Sequence, residues 1–341
     1  MKIGYFLFLS FLTSFLAGGN TVKVFILAGQ SNMEGKAQNK LLEHQATDPK
    51  TAKLFAHLRK DGKWIKRDDV FIKYLDRHGK LTIGYGSRDR TGVELQLGHT
   101  LGDHFKEPVL LVKAAWGGHS LYQKFRSPSA GLPSEEKLAA ELAQAVERTR
   151  NTNEKRKQNN PLPTMEDIKS GYGVSYRAMM EEVNEALTNY ETTFPELKGS
   201  KPEIAGFVWF QGWNDQYNGA ETEYASNMAH FIRDVRKDLK APELPFVIGV
   251  MGQNGSKEAK GAMKVIQEAQ LAMEEALPGV KAVHTDVLID KAAEALYPTW
   301  KDNFEEWEKT GSDHAYHYLG SAIWFNRMGR AFADALLELQ K

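Results

Sequence analysis

The amino-acid sequence contains no cysteine. This absence excludes disulfide bonds, thiolate metal sites, a cysteine nucleophile and a lipid-modified N-terminal cysteine. An excess of charge is also missing, because Lys plus Arg and Asp plus Glu both total 44. The balance gives no electrostatic basis for binding nucleic acid or an anionic membrane, so neither is expected as a partner.

Long apolar runs are scarce. One uncharged run extends from Ile3 to Leu16, after Lys2 and before the small residues Ala17, Gly18 and Gly19. This order is typical of a secretory signal peptide, and the run is shorter than the roughly 20 residues of a membrane-spanning helix. We interpret residues 1–19 as a signal peptide and expect an exported protein, periplasmic or extracellular. A retained N-terminal anchor is the alternative.

Short apolar runs alternate with amphipathic stretches in the rest of the chain. The runs predict strands buried on both faces of a parallel sheet, at residues 22–28, 109–114, 204–210, 245–250 and 280–285. Apolar residues spaced by three and four predict helices at residues 176–190, 224–239, 266–277 and 321–339. The alternation predicts an α/β fold, a three-layer α/β/α sandwich around a central, mostly parallel, five-stranded sheet.

Two segments depart from this alternation. Residues 36–92 are polar, with candidate short strands at Trp64-Ile65 and Val70–Leu75. Residues 127–172 contain a helical stretch, Glu135–Arg150, followed by a charged and proline-bounded segment. We expect both to be surface insertions in one domain of residues 20–341, because no shift in composition divides the chain.

Polar or glycine-rich segments follow the first three predicted strands, and a fourth precedes the last predicted helix. In open α/β sheets, ligands bind at the carboxyl ends of the strands, so these segments are expected to converge. They cover residues 29–33, 115–120, 211–215 and 311–322. The sequence therefore predicts one functional site built from four distant parts of the chain.

The residue types in these segments fit a serine hydrolase. A serine hydroxyl needs an adjacent base, usually histidine, and the histidine needs an acceptor that fixes its tautomer. Attack on an ester creates an oxyanion, which N–H donors from a glycine loop and an asparagine amide can stabilise. Ser31, Gly117-Gly118, Asn214 and a C-terminal histidine supply these parts in chain order. A capping role for Ser31 or Asn214 is the alternative.

The four segments resemble the four sequence blocks of the SGNH hydrolase superfamily. "GQSNM", "AWGGHSL" and "TGVELQLGHTLGD" are most similar to the sialate O-acetylesterase-like group, which includes the acetylxylan esterases of carbohydrate esterase family six, and "GWND" fits the superfamily's third block. The resemblance extends from residue 24 to about residue 330. It implies a flavodoxin-like SGNH fold and a carbohydrate O-acetylesterase. No metal-ligand spacing such as HExxH is present, and no cofactor or metal is expected.

The resemblance also implies roles for individual residues. Ser31 corresponds to the nucleophile, His317 to the base and Asp313 to the acid that orients it. The N–H groups of Ser31 and Gly118, with the amide of Asn214, correspond to the oxyanion hole. Further residues are expected to support the loops or contact substrate, with plain packing as the alternative for the tryptophans: Gln30, Gln211, Trp116, Trp213, Trp300 and Glu94.

The chain departs from the family pattern at several of these positions. Asp313 and His317 are one residue further apart than in the superfamily's Asp-x-x-His block. His314 therefore competes with His317 as base, and the acid that orients the base could instead be Asp286, Asp290 or Asp215. Other departures are Trp213 in place of Glu, His119 in place of Thr or Ser, and Val93 in place of Pro.

These observations predict an exported serine esterase that removes O-acetyl groups from carbohydrates of the acetylxylan or sialate type. The reaction would pass through an acetyl-enzyme, and an acetylated carbohydrate is the expected partner. Two alternatives stay open. One is a lipase-, thioesterase- or arylesterase-like hydrolase of another acyl ester, and the other is a carbohydrate-binding relic without catalysis.

Overall fold

A computed structural model of the protein describes residues 21–341. The predicted signal peptide, residues 1–19, lies outside the described residues. None of the helices in the described part of the chain is long and apolar enough to span a membrane.

A seven-stranded sheet forms the centre of the fold. In chain order its strands are β1 (Thr21–Gly29), β2 (Val70–Tyr74), β3 (Arg77–Lys80), β4 (Val109–Ala115), β5 (Lys201–Phe210), β6 (Phe246–Val250) and β7 (Val280–His284). Their spatial order is β7-β6-β5-β1-β4-β2-β3. All neighbours are parallel except β2 and β3, which form an antiparallel pair at one edge.

Helices cover both faces of this sheet. They are α1 (Ser31–Glu34), α2 (Asn39–Gln45), α3 (Ala52–Phe55), α4 (Glu94–His104), α5 (Glu135–Arg156), α6 (Met165–Ser170), α7 (Val174–Thr193), α8 (Tyr224–Asp238), α9 (Gly261–Ala276), α10 (Lys291–Leu296), α11 (Phe304–Trp307) and α12 (Ala322–Glu338). The apolar stripes of α4 and α12 pack into one core cluster, and those of α7, α8 and α9 into the other. The predicted α/β/α sandwich is therefore confirmed.

The sheet has two more strands than the five predicted. β2 and β3 come from residues 36–92, so this segment contributes to the core rather than only to the surface. Lys73 interrupts the apolar run of β2, which weakened the strand signal. In the structure Lys73 is buried and its ammonium lies 2.6 Å from Glu182, so the strand carries a paired charge.

Two smaller differences lie in the other irregular regions. Lys63-Trp64 pairs with Arg59-Lys60 in a separate two-stranded ribbon, and Ala37-Gln38 pairs with Arg90-Thr91 in another. Helix α5 extends to Arg156, past the predicted end at Arg150. The only buried residue of α5 is Leu138. A helix exposed on nearly all sides has no apolar stripe, so the end of α5 could not be predicted from the spacing of apolar residues.

The strand order places a crevice at the carboxyl end of β1. The strands β2, β3 and β4 lie on one side of β1, and the later strands β5, β6 and β7 lie on its other side. Such a reversal in an α/β sheet leaves the loops after the central strands on diverging paths, and ligands bind between them. The loops that follow β1, β4 and β5 begin with Gln30, Trp116 and Gln211.

The contribution of β2 to the core can be measured with Ile72→Ala. Ile72 is fully buried, so truncation should lower the free energy of unfolding by about 2 to 5 kcal/mol. Lys80→Ala on neighbouring β3 is the matched control, since it removes only ion pairs with exposed carboxylates and should have a much smaller effect than Ile72→Ala. Equal effects in urea unfolding would contradict a core role for residues 36–92.

Candidate active site

Ser31 and Asn214 are held side by side by Gln30. The Oε1 atom of Gln30 accepts hydrogen bonds from the N–H groups of Gly212 at 3.2 Å and Asn214 at 3.4 Å. Its Nε2 group donates to Oδ1 of Asn214 at 3.1 Å. Because this bond occupies the amide oxygen of Asn214, the Nδ2 group is the part left to donate to another molecule. Ser31 itself is 6% exposed.

The glycine loop after β4 lies against Ser31. A Cβ atom built on Gly117 would be 3.7 Å from Cβ of Ser31, and both Gly117 and Gly118 are exposed. Gly118 has φ +78°, in the left-handed region that favours glycine. The N–H of Gly117 donates to Oε1 of Glu34 at 2.7 Å. Within residues 21–341, no protein acceptor binds the N–H of Gly118.

Glu34 is a site residue that the sequence reasoning missed. Its Oε2 atom accepts hydrogen bonds from Lys36 Nζ at 2.7 Å and Ser87 Oγ at 3.0 Å, while Oε1 binds Gly117. Burial raises the pKa of Glu34, but Lys36, Gly117 and Ser87 outweigh it, so the pKa is below its usual value. The sequence feature that could have identified Glu34 is its position three residues after Ser31, because this spacing places both residues on one side of a helical turn.

Asp313 and His317 form a pair in the loop before α12. Nδ1 of His317 lies 3.1 Å from Oδ1 of Asp313, which also accepts the N–H of His314 at 2.8 Å. Arg90 binds the other carboxylate oxygen. Burial opposes ionisation of Asp313, but the bonds from His317 and His314 and the charge of Arg90 lower its pKa to about 2.

His314 points in a different direction from His317. It is exposed, and its Nδ1 lies 3.5 Å from the hydroxyl of Tyr297. The loop reverses after His317 through Tyr318 and Leu319, which have φ 52° and 59°. Non-glycine residues rarely adopt such values, and they occur where the surrounding structure enforces them, often at functional sites.

The loop that carries His317 is joined to the segment that carries Ser31. Nδ2 of Asn32 donates to the backbone carbonyl of Tyr316 at 3.1 Å, and the Tyr316 ring lies 4.5 Å from the His317 ring. Among the described residues, the Ser31 hydroxyl makes no direct hydrogen bond, so its connection to His317 passes through Asn32 and Tyr316. Catalytic hydrogen bonds are often long and tighten only in the complex with substrate.

The competing carboxylates lie elsewhere. Asp215 accepts hydrogen bonds from the N–H groups of Leu121 and Tyr122 and from Gln211, at 2.6–2.9 Å. It thus fastens the loop after β4 to the loop after β5, and burial, although opposed by these bonds, raises its pKa to about 6. Asp290 caps α10 and binds Ser321, and Asp286 lies 3.5 Å from His284.

Glu94 supports the site from inside the protein. It is fully buried, binds Lys113 at 2.9 Å and accepts the N–H of Gly92. Lys113 also donates to the carbonyl of Glu34 at 2.6 Å, so this ion pair fixes the end of α1. Glu94 thus accepts hydrogen bonds from inside the protein.

The predicted support residues after β4 and β5 have packing contacts of their own. The Trp116 ring lies 6.3 Å from the His119 ring, and Nδ1 of His119 lies 2.7 Å from the Ser175 hydroxyl. Gln211 donates to the carbonyl of His119 at 3.1 Å, which adds a second link between the two loops. In the described part of the chain, no group of three or more His, Asp or Glu side chains is arranged to hold a metal ion.

Comparison with protein families decides the relationship. A model described as "carbohydrate esterase, sialic acid-specific acetylesterase" matches residues 21–161 and 163–297. The chain belongs to this family. The resemblance read from the sequence segments is thereby confirmed. The matched ranges include Ser31, Gly118 and Asn214 and end before Asp313 and His317.

One solved structure supports the fold, and two others have a weaker similarity. The chain is similar to a protein from Arabidopsis thaliana, with TM-score 0.52, 16% identity, and coverage of 94% of this chain and 98% of that one. A carbohydrate acetylesterase from Xanthomonas citri matches with TM-score 0.42 and 17% identity over 79% of this chain and 51% of that one. NanS matches with TM-score 0.42 and 13% identity over 78% of each chain. A search of curated proteins found no match.

The paired Asp313 makes stability depend on acidity. The pKa of Asp313 is 3.8 in the unfolded chain and about 2 in the folded protein. The ionised carboxylate therefore stabilises the folded protein fully above the unfolded pKa, and this stabilisation is lost as the pH drops through the folded pKa. The difference in unfolding free energy between the wild type and Asp313→Asn should therefore shrink by about 2 kcal/mol between about pH 5 and about pH 2. Denaturant unfolding across this range measures it.

An exposed carboxylate provides the control for this experiment. Asp76→Asn should change stability by about 0.5 kcal/mol or less, because surface substitutions away from special contacts have small effects. A difference between the wild type and Asp313→Asn that stays constant with pH would contradict an ionised, strongly bound Asp313.

Proposed function

We propose that the protein is an exported serine esterase that releases O-acetyl groups from carbohydrates through an acetyl-enzyme. The observation that carries the proposal is the convergence of Ser31, the Gly118 loop and Asn214 at the reversal of strand order, with the Asp313–His317 pair on the adjoining loop. Membership of an acetylesterase family supports the same chemistry. Export rests on the sequence pattern of residues 1–19.

Ser31 is the nucleophile in this proposal. Its hydroxyl oxygen attacks the acetyl carbonyl while His317 takes the hydroxyl proton. The negative charge that develops on the carbonyl oxygen is stabilised by the N–H groups of Ser31 and Gly118 and by Nδ2 of Asn214. His317 then gives the proton to the departing sugar oxygen, and the acetyl group stays on Ser31.

Water completes the cycle. His317 takes a proton from the water as it attacks the acetyl-enzyme, and the same donors stabilise the second oxyanion. Collapse of this intermediate breaks the bond to Ser31, returns the proton to its oxygen and releases acetate. Asp313 accepts the Nδ1–H of His317, which leaves Nε2 for the proton transfers and stabilises the imidazolium.

Glu34 acts as a positioning residue in this scheme. Its carboxylate accepts the N–H of Gly117, which fixes the peptide next to Gly118 and leaves the Gly118 N–H for the oxyanion. Because Lys36 and Ser87 hold the other oxygen, Glu34 has a defined orientation. The effect on catalysis is therefore indirect and depends on the loop geometry.

Removal of the nucleophile or the base tests the central claim. Ser31→Ala and His317→Ala should each lower kcat for acetate release by about a thousandfold or more, since each removes a group on which attack depends. The loss in His317→Ala should exceed that in His314→Ala by about a hundredfold. Acetate is measured with acetylated xylan, acetylated sialosides and p-nitrophenyl acetate as substrates.

The alternative functions predict other results. A clear preference of the wild type for longer p-nitrophenyl acyl esters over the acetate would indicate a different acyl hydrolase. Binding of sugars without any acetate release would indicate a relic. A larger loss in His314→Ala than in His317→Ala would contradict the proposed base.

The role of Glu34 is tested with two substitutions. Glu34→Ala should lower kcat by about tenfold or more with a smaller change in KM, because the glycine loop loses its anchor. Glu34→Gln should recover most of kcat, since its amide oxygen can still accept the N–H of Gly117. Lys36→Ala, which leaves that bond in place, is the matched control and should have a smaller effect. A purely structural role would lower the fraction of folded protein without changing kcat per active site.

A further inference from the structure

Four ring-bearing side chains form a chain of neighbouring rings beside His317. Trp213, Tyr316, His314 and Trp300, here called the aromatic shelf, follow one another at ring-centroid distances of 5.9, 5.2 and 6.4 Å. The shelf begins at the candidate site, because the Tyr316 ring lies 4.5 Å from the His317 ring. It ends at Trp300, which packs against the buried Trp307 at 6.2 Å.

The shelf is open to other molecules. Tyr316 is 39% exposed, His314 is also exposed, and the two tryptophans are half-buried. The rings of His314 and Tyr316 are stacked with their planes inclined by 25°, whereas Trp213 is inclined to Tyr316 by 45° and Trp300 stands nearly perpendicular to His314, at 84°. Packing inside the core would not need exposed rings at these positions, whereas a cluster of exposed aromatic residues beside a site marks a binding surface.

Part of the shelf lies where the chain departs from the pattern of the group that it resembles. Trp213 stands where the resembling group has Glu, and the additional residue between Asp313 and His317 lies in the segment that supplies His314 and Tyr316. The departures that leave the Asp313–His317 pair intact therefore change the surface next to it. This points to substrate selection rather than to a different reaction.

We propose that the aromatic shelf binds a sugar unit next to the acetylated one, so that the substrate is an oligosaccharide or polysaccharide and not a single sugar. The inference rests on the proposed function. A pyranose ring has apolar C–H faces and a rim of hydroxyl groups. Aromatic faces suit the former, while the Tyr316 hydroxyl and the His314 imidazole can exchange hydrogen bonds with the latter.

A second surface offers a competing direction for the glycan. A cavity of about 400 Å³ lies between α5 and the loops after β4 and β5, and its lining includes Ser120, Gln123, Glu141 and Tyr217. Tyr217 is 53% exposed, so it matches the shelf residues in type and accessibility. Tyr217→Ala therefore serves as the control that distinguishes the two directions.

The experiment compares an acetylated β-1,4-xylotetraose with acetylated xylose. In Trp300→Ala and His314→Ala, KM for the tetrasaccharide should rise about tenfold, while KM for the monosaccharide should change less than about twofold. Tyr217→Ala should leave the ratio of the two KM values near that of the wild type. His314→Ala removes an exposed ring and is expected to fold normally, whereas Trp300→Ala requires a check of thermal unfolding because of its contact with Trp307.

Two results would overturn the inference. One is a wild type with the same KM for both substrates, and the other is a rise in KM for the tetrasaccharide in Tyr217→Ala but in neither shelf variant. If the wild type releases no acetate, the proposed function fails separately. Calorimetric titration of Ser31→Ala with xylotetraose then still tests the shelf. Loss of binding in the double variant Ser31→Ala, Trp300→Ala would support the inference, and unchanged binding would contradict it.

Discussion

The close approach of β1 and β5 at their carboxyl ends is the constraint on which the site depends. A Cβ atom on Gly29 would lie 2.1 Å from the carbonyl oxygen of Phe210, and Gly29 has φ +153°. Only glycine fits there without displacing the neighbouring backbone. The next N–H, that of Gln30, donates to the same carbonyl at 3.2 Å. The Gln30 side chain can then reach the Asn214 loop, which brings two segments separated by more than 180 residues into contact.

Buried carboxylates hold the remaining loops around this contact. Asp215 fastens the loop after β4 to the loop after β5, Glu34 holds the glycine turn, and Glu94 with Lys113 fixes the end of α1. Asp215 and Glu94 are fully buried, so the donors that they accept would otherwise be unsatisfied, whereas the partly buried Glu34 binds the exposed glycine turn. The site is therefore built mainly by polar contacts within loops, while the sheet supplies the common edge.

The sequence predicted the layers and the four site segments because these leave local patterns. Continuous apolar runs mark the strands β1, β4, β5 and β6, and polar residues directly after them mark the rim of a parallel sheet. β2 was predicted only as a candidate short strand at Val70–Leu75 and not as part of the central sheet, because its buried Lys73 is paired with Glu182, a residue more than a hundred positions away. The partnership of Glu34 with Gly117 has no local signature for the same reason. The choice of His317 over His314 depended on family resemblance, since both have equivalent chemistry in the sequence.

Tyr318 links the candidate base to the interior of the protein. Its side chain is fully buried, and its hydroxyl accepts the N–H of Gly252 and contacts the Thr285 hydroxyl, beyond the ends of β6 and β7. Because Tyr318 immediately follows His317, the imidazole is attached to a rigid anchor in the protein interior, although it lies in an irregular segment. The buried Tyr318 side chain thus anchors the loop directly after the proposed base. The position of the His317 backbone is consequently tied to the segments that follow the last two strands of the sheet, while Asp313 contacts its ring.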